Sequence, residues 1–335
     1  MKQAFRHSCV AAASFTLIAA CGGGSDNDSG LIAGGNTAEP ATITSQNAPV
    51  IAGVAAEVAM GQGVFESVFS PTIPIASSGA DVAIAPVMKP ALSAAMKTAN
   101  PSQLMATSAG RADCAVSGTV DIQADVSDPA APSLNDRFVF EFTNCDDGTG
   151  AIVNGGMAIT ITALVGDPAS AEFLVGMAIE YSAFSVTEDG ETAGANGTVS
   201  FEIDTTNPPV TTITVSSNTF VVTSAGREEV LTGFTIEITE DASMFPIAVT
   251  VDTSFTISSP RIGGEVTVTT SLALQSTGAE YPFMGELRIE GADQAVIVLI
   301  ALDANTVRLQ IDIDGDGATD ETVDMSWDEL MAAAA

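Results

Sequence analysis

The stretch Phe138-Val139-Phe140-Glu141-Phe142-Thr143 decides the fold, because a phenylalanine occupies every second position. A period of two residues places the three rings on one face of a β-strand and their neighbours on the other. The same rhythm returns in residues 199–204, 234–239, 247–257, 266–274, 287–289 and 307–313. The sequence therefore predicts antiparallel strands with one buried and one solvent-exposed face.

Turn signals separate these alternating runs, and they set the number of strands. Examples are Asp146-Asp147-Gly148, Glu188-Asp189-Gly190 and Asn207-Pro208-Pro209. Runs and turns together predict roughly 12–14 strands, and a sheet of that size needs an arrangement that protects its edges. We therefore expect a mainly β fold, either a large antiparallel curved sheet or a barrel, over residues 111–335.

The segment 47–110 has a different pattern, with apolar residues at helical spacing near its start. Asn47-Ala48-Pro49 is a typical helix start, since proline is tolerated in the first turn. Apolar residues then recur up to residue 66 on nearly every side, which predicts a buried helix packed on the apolar face of the sheet. The rest of the segment is interrupted by prolines, and a second short helix is predicted from Pro90 to about Thr98.

Composition limits the classes of partner. The chain has 10 basic and 42 acidic residues, for a formal net charge of -32, yet 46% of its residues are hydrophobic. The hydrophobic content is sufficient for a substantial core. The negative charge repels phosphate backbones, so nucleic acid is not an expected partner, and it attracts divalent cations.

The N-terminus contains a positively charged start, an uncharged stretch at 8–20, and the sequence Leu17-Ile18-Ala19-Ala20-Cys21. The five residues from Leu17 to Cys21 resemble the bacterial lipobox. The resemblance implies a cleaved signal peptide at 1–20, fatty acylation of Cys21 with groups such as palmitate, and a flexible tether at 21–46. Gly22 follows the cysteine, which by the same resemblance favours anchoring in the outer membrane, on either its periplasmic or its surface face. The alternative is an ordinary secretory signal that is cut at another small residue.

Cysteine usage is consistent with export from the cytoplasm. Cys9 would leave with the signal peptide and Cys21 would carry lipid, so only Cys114 and Cys145 remain in the mature domain. Two thiols in an oxidising compartment most simply pair, and we predict a disulfide between them.

One local motif indicates metal chemistry, and it lies near the C-terminus. The run Asp312-Ile313-Asp314-Gly315-Asp316-Gly317-Ala318-Thr319-Asp320 repeats the D-x-D-x-D-G start of calcium loops. It predicts a Ca²⁺ site whose ligands are the carboxylates of Asp312, Asp314, Asp316 and Asp320 and the carbonyl of Ala318. Val323 stands where a helix-loop-helix site has a bidentate glutamate, and the flanks look like strands, so a strand-loop-strand site is the better comparison. The alternative is an acidic hairpin turn without an ion.

Much of the chain resembles a broad class of uncharacterised proteobacterial lipoproteins. The likeness rests on the lipobox, on residues 114–155 with Phe142-Thr143-Asn144-Cys145 and Asn154-Gly155, and on the ending 307–330 with Ser326-Trp327-Asp328-Glu329-Leu330. It implies the fold and the location and no particular activity. Trp327, the sole tryptophan, is expected to cap the core where the last strand meets a short helix, with ligand stacking as the alternative.

Several common catalytic motifs are missing from the sequence. The only histidine, His7, lies in the predicted signal peptide, so a mature Ser-His-Asp triad is excluded, and no G-x-S-x-G elbow or P-loop occurs. We therefore expect a non-enzymatic, lipid-anchored envelope protein with a structural or interaction role and a calcium-stabilised loop. The alternative is a carrier that binds a lipid or other apolar ligand in the concave sheet.

Overall fold

The computed structural model describes residues 38–61, 72–74, 81–83, 107–127 and 133–334, except 147, 149, 168, 169, 189, 225 and 278–280. The predicted signal peptide, Cys21, most of the predicted tether and the predicted helix from Pro90 to Thr98 lie outside these residues.

The described residues form two helices, a small hairpin and one large antiparallel sheet. Helix α1 spans Ala48–Ala59 and helix α2 spans Trp327–Ala334. The hairpin pairs β1 (Thr72–Pro74) with β2 (Asp81–Ala83). The sheet has 14 strands in chain order: β3 Thr107–Asp113, β4 Ser117–Asp125, β5 Arg137–Asp146, β6 Ile152–Gly166, β7 Phe173–Glu188, β8 Glu191–Asn207, β9 Val210–Ser224, β10 Arg227–Asp241, β11 Ala248–Ser259, β12 Gly264–Ser276, β13 Met284–Glu290, β14 Val296–Ala301, β15 Thr306–Asp312 and β16 Glu321–Ser326.

The sheet is curved and not closed, so β3 and β16 are its edges. This confirms the prediction of a large antiparallel curved sheet with an N-terminal helix, and of the two predicted arrangements it selects the sheet over the barrel. The alternation that predicted the strands is visible in their burial: Val307, Leu309 and Ile311 of β15 are fully buried, while the residues between them are half-buried. Apolar residues of this kind form one core that includes both helices.

Helix α1 is buried on all sides, as its apolar sequence predicted. Every residue from Ile51 to Ala59 is buried, and the helix packs against α2 and against β11, β14 and β15. Close approach of the two helices requires Gly53, because a Cβ there would lie 2.6 Å from the carbonyl oxygen of Leu330. Neither helix of the described part of the chain has the length and apolar character needed to cross a membrane.

The ordered contacts begin earlier than the predicted tether boundary at residue 46. Pro40 forms a parallel bridge with Glu265 at the start of β12, and the Ala41 N–H donates to the Glu265 carbonyl at 2.8 Å. Ala41 also accepts a hydrogen bond from the Ala292 N–H, and Ile43 is buried at 1% exposure. Residues 40–43 therefore belong to the packed domain.

Successive hairpin turns alternate between two ends of the sheet, because the strands follow one another in chain order. We call the end at which Pro40 joins Glu265 the proximal end, and the opposite one the distal end. The turn between β15 and β16 and the cysteines Cys114 and Cys145 lie at the proximal end, and the turns after β8 and β10 lie at the distal end.

A line of β-bulges crosses strands β5 to β8 and bends the sheet. Register shifts occur at neighbouring positions of β5, β6, β7 and β8, and the residues there have positive φ: Asn144, Gly155, Ala183 and Gly197. Each bulge increases the local twist, so a row of them curves the sheet around its core. Two asparagines fix the line, since the Oδ1 atoms of Asn154 and Asn196 accept the N–H groups of Asn144 (2.7 Å) and Ala183 (3.4 Å).

Candidate metal-binding loop

The acidic loop lies between the ends of two paired strands. Asp312 ends β15 and Glu321 begins β16, so residues 313–320 form the turn of a hairpin at the proximal end. The observed arrangement is the predicted strand-loop-strand rather than helix-loop-helix. Two ladder partners, Ile311 and Glu321, hold the base of the loop at a fixed width.

Three of the predicted carboxylates converge. One oxygen each from Asp312, Asp314 and Asp320 lies within 4.8 Å of the others. Calcium is bound by oxygen at 2.3–2.6 Å, so two ligands on opposite sides of one ion are about 5 Å apart. The three oxygens are therefore spaced to share a single cation of that size.

Backbone N–H groups orient all three of these carboxylates, and Asp314 Oδ1 accepts the Asp316 N–H at 3.2 Å. Asp312 accepts the Gly315 N–H at Oδ1 and the Gly317 N–H at Oδ2, both at 2.8 Å, and Asp320 Oδ2 accepts the Ile313 N–H at 2.8 Å. Gly315 has a φ of 71°, and a Cβ there would lie 2.7 Å from the Asp293 carbonyl oxygen, so only glycine lets the loop lie against this neighbouring turn.

The other two predicted ligands are not part of this group. Asp316 is outside the three-carboxylate cluster, and its Oδ1 accepts the Ala318 N–H at 2.7 Å in a local turn. The role of the Ala318 carbonyl stays a prediction. Asp314 and Asp320 are exposed, and exposed acidic groups also converge in turns that hold no ion. The geometry thus supports a cation site of three side chains and leaves the ion-free hairpin as the alternative.

The predicted disulfide is confirmed. Cys114, just after β3, is bonded to Cys145 near the end of β5, with a Cα–Cα distance of 5.5 Å and a sequence separation of 31 residues. The bond ties the edge strand to the third strand of the sheet, across β4. Both sulfurs are thereby used structurally, which removes them from metal or nucleophile chemistry.

A buried charge cluster was not predicted from the sequence. Arg261, in the turn after β11, donates to Glu57 of α1 and to Glu229 of β10, each at 2.7 Å, and to the carbonyl of Ala334 at the end of α2 at 2.8 Å. The three charged side chains are only 3–10% exposed. Burial raises the pKa of Glu57, and its hydrogen bond with Arg261 opposes that shift.

The position of Trp327 matches the predicted cap. It is the first residue of α2, 1% exposed, and its ring stacks on Tyr281 at a centroid distance of 5.6 Å. Its indole N–H donates to the Asp303 carbonyl at 3.3 Å. The ring is therefore occupied by contacts within the protein.

An open groove of about 600 Å³ lies beside the bulge line at β8, β9 and β10. Hydroxyl and amide side chains line most of it, including Thr198, Ser200, Ser216, Asn218 and Thr219. A carrier of apolar ligands needs a cavity lined mainly by apolar groups. This groove is too polar for that role.

No protein-family model matches the chain, and neither a curated protein nor a solved structure matches it.

Proposed function

We propose that the protein is a lipid-anchored lipoprotein of the cell envelope, non-enzymatic, with a structural or interaction role and a loop stabilised by Ca²⁺. The observation that carries the location is the Cys114–Cys145 disulfide. Such bonds persist in oxidising compartments outside the cytoplasm. With the two cysteines paired, Cys21 of the lipobox-like sequence is left for acylation once residues 1–20 are removed.

The lipid anchor is tested by growing expressing bacteria with a labelled palmitate and isolating the protein. We expect label in the wild-type protein, none in the Cys21→Ala variant, and unchanged label in a Cys9→Ala variant, which serves as the matched control. Fractionation of the envelope then reports whether the labelled protein lies in the outer membrane. Label that persists in Cys21→Ala would overturn the anchoring at this residue.

The chemistry of the acidic loop supports calcium as the proposed ion. The ligand atoms are all oxygens, as hard cations require, and the backbone hydrogen bonds that orient Asp312 and Asp320 lower the cost of ordering the loop around an ion. Three carboxylates bring three negative charges together in a chain of net charge -32, and a divalent cation would offset much of their repulsion. Extracellular modules of this kind bind with dissociation constants of roughly 0.1–1 mM.

Calorimetric titration with calcium chloride tests the loop. We expect heat of binding and a higher melting temperature at millimolar calcium in the wild-type protein, and loss of both in Asp320→Asn. Asp316→Asn is the matched control, because it removes one charge from the same loop while keeping the oxygen that caps Ala318. Absence of heat and of a melting shift in the wild-type protein would contradict the proposal.

The carrier alternative gains no support from the described residues. The apolar residues of the inner face, such as Phe220, Phe234 and Phe255, are at most 1% exposed within one continuous core, and α1 is packed into it. Native mass spectrometry of the purified protein distinguishes the two functions: bound calcium without lipid other than the N-terminal acyl chains favours the structural role, and a co-purified apolar ligand favours the carrier.

A further inference from the structure

Exposed apolar side chains are concentrated at the distal end of the sheet. The described residues include ten large hydrophobic residues that are exposed, and seven of them lie in or beside distal turns: Leu134, Val165, Met244, Phe245, Ile247, Met284 and Leu302. The proximal end has the acidic loop and the buried charge cluster instead. The two ends of the sheet therefore differ in chemistry.

The turn between β10 and β11 contains three of these exposed apolar side chains, including the most exposed one. Phe245 is 102% exposed, Met244 is 55% exposed and Ile247 is 47% exposed. The neighbouring turn between β8 and β9 contacts it, since the Ala242 N–H donates to the Pro209 carbonyl at 3.1 Å. We call residues 207–209 and 242–247 together the apolar wedge.

Both turns of the wedge are capped in the same way. Asp204 Oδ1 accepts the N–H and the hydroxyl of Thr206, and Asp241 Oδ1 accepts the N–H and the hydroxyl of Ser243. Each aspartate thereby fixes the base of its turn by local hydrogen bonds. The wedge is built on a defined scaffold and not on a loose loop.

The wedge is also free of charge in a strongly acidic protein. No charged residue occurs from 205 to 226 or from 242 to 251, although the whole chain has a net charge of -32. Exposed apolar clusters of this kind mark protein-binding or membrane-binding sites. A neutral wedge inside an acidic surface suits a partner that is apolar and lacks negative charge.

We propose that the apolar wedge inserts into the interface of a neutral, zwitterionic lipid surface. The Phe245 side chain is fully exposed, and fluid acyl chains can surround such a ring from all sides. Interfacial elements bury their apolar side chains about 5–10 Å deep, which one protruding hairpin turn can span.

The wedge is separate from the proposed N-terminal anchor. Residues 40 and 41 join the sheet at the proximal end, whereas the wedge lies at the distal end of strands that are 12–15 residues long. At about 3.3 Å per residue, roughly 40–50 Å of strand separates the two points. Insertion of the wedge therefore does not depend on acylation of Cys21, and an experiment must report on the wedge itself.

A fluorescent residue placed in the wedge of the full chain reports on lipid contact at that site. Phe245→Trp places an indole in the wedge, while the native Trp327 is buried and contributes a constant background. On titration with phosphatidylcholine vesicles, we expect a blue shift of the emission and quenching by brominated phosphatidylcholine. Val116→Trp is the matched control, because Val116 is 65% exposed at the proximal end, and its emission should not change.

Further substitutions measure the contribution of the wedge. In the Phe245→Trp protein, adding Met244→Ser and Ile247→Ser should raise the lipid concentration for half of the shift about tenfold or more. An emission that stays unshifted at millimolar lipid, or an equal shift in Val116→Trp, would overturn the proposal. A shift that appears without lipid as the protein concentration rises would also overturn it, in favour of a second copy of the chain as the partner.

Discussion

Arg261 donates from Nη1 to Oε2 of Glu57 at 2.7 Å, and the two residues are 204 positions apart in the sequence. The same guanidinium also donates to Glu229 of β10 and to the Ala334 carbonyl at the end of α2. One side chain therefore connects both helices to the sheet in the interior of the domain. Because all three charged side chains are at most 10% exposed, water screens these contacts weakly.

Removal of the guanidinium should destabilise the domain strongly. Arg261→Met would leave Glu57 and Glu229 buried without their shared cation, and breaking a buried ion pair in this way costs about 3–5 kcal/mol. We expect a loss of that size in the free energy of unfolding, measured by urea denaturation. Arg288→Met is the control, since the ion pair of Arg288 with Glu290 is about half exposed and should contribute less than about 1 kcal/mol.

Glu57 should make the stability of the fold depend on pH in an unusual direction. Burial raises the pKa of Glu57 above its ordinary value of 4.5, so between the two values the folded state holds more protons than the unfolded state. The contribution of Glu57 to the free energy of unfolding must therefore fall as the pH rises through that window.

Comparison with Glu57→Gln isolates this contribution. Carboxylates with a lowered pKa, such as Asp136, which accepts two backbone N–H groups, act in the opposite direction and are present in both proteins. The stability of the wild-type protein minus that of Glu57→Gln should decrease from pH 4 to neutral pH. A difference that stays constant over this range would show that Glu57 titrates as an ordinary glutamate.

Much of the fold could be predicted from the sequence because it follows from side-chain alternation. The phenylalanines at 138, 140 and 142 predicted a strand, and β5 is that strand. The buried helix followed from its uniform apolar character. The choice between an open and a closed sheet could not be predicted, because side-chain alternation is the same in both. The bulge at Ala183 could not be predicted either, because its positive φ has no signal in the residue type.

The candidate site was predictable in part for a similar reason. Asp312, Asp314 and Asp320 belong to one local loop, so the sequence pattern included all three, but it also included Asp316, which lies outside the cluster. The Arg261 cluster joins residues from distant elements, and only the tertiary structure brings them together. A weak signal did exist: Glu57 is the only charged residue in an otherwise apolar helix, and a lone charge there needs a partner.

Loss of the disulfide should destabilise the N-terminal part of the sheet. The bond closes a loop across 31 positions, which corresponds to about 3–4 kcal/mol of unfolded-state entropy. We expect the double variant Cys114→Ser, Cys145→Ser to lose that much free energy of unfolding. A reductant should lower the stability of the wild-type protein by a similar amount and leave that of the double variant unchanged. Equal sensitivity of both proteins to reductant would contradict the assignment of the effect to this bond.

The bulge line should be intolerant of side chains at its glycines, and Gly155 is the sharpest test. It has a φ of 88°, and a Cβ there would lie 2.1 Å from the Ala183 carbonyl oxygen, so Gly155→Ala adds both backbone strain and a clash with the neighbouring strand. We expect a loss of about 2–5 kcal/mol in the free energy of unfolding. Gly226→Ala is the matched control, because Gly226 has a similar φ of 75° but nothing within 4 Å of the added Cβ, and it should lose only about 1–2 kcal/mol. Both variants share the backbone strain, so the difference between their losses of unfolding free energy measures how tightly β6 and β7 are held at the bend. Equal losses would mean that the two strands separate there at little cost.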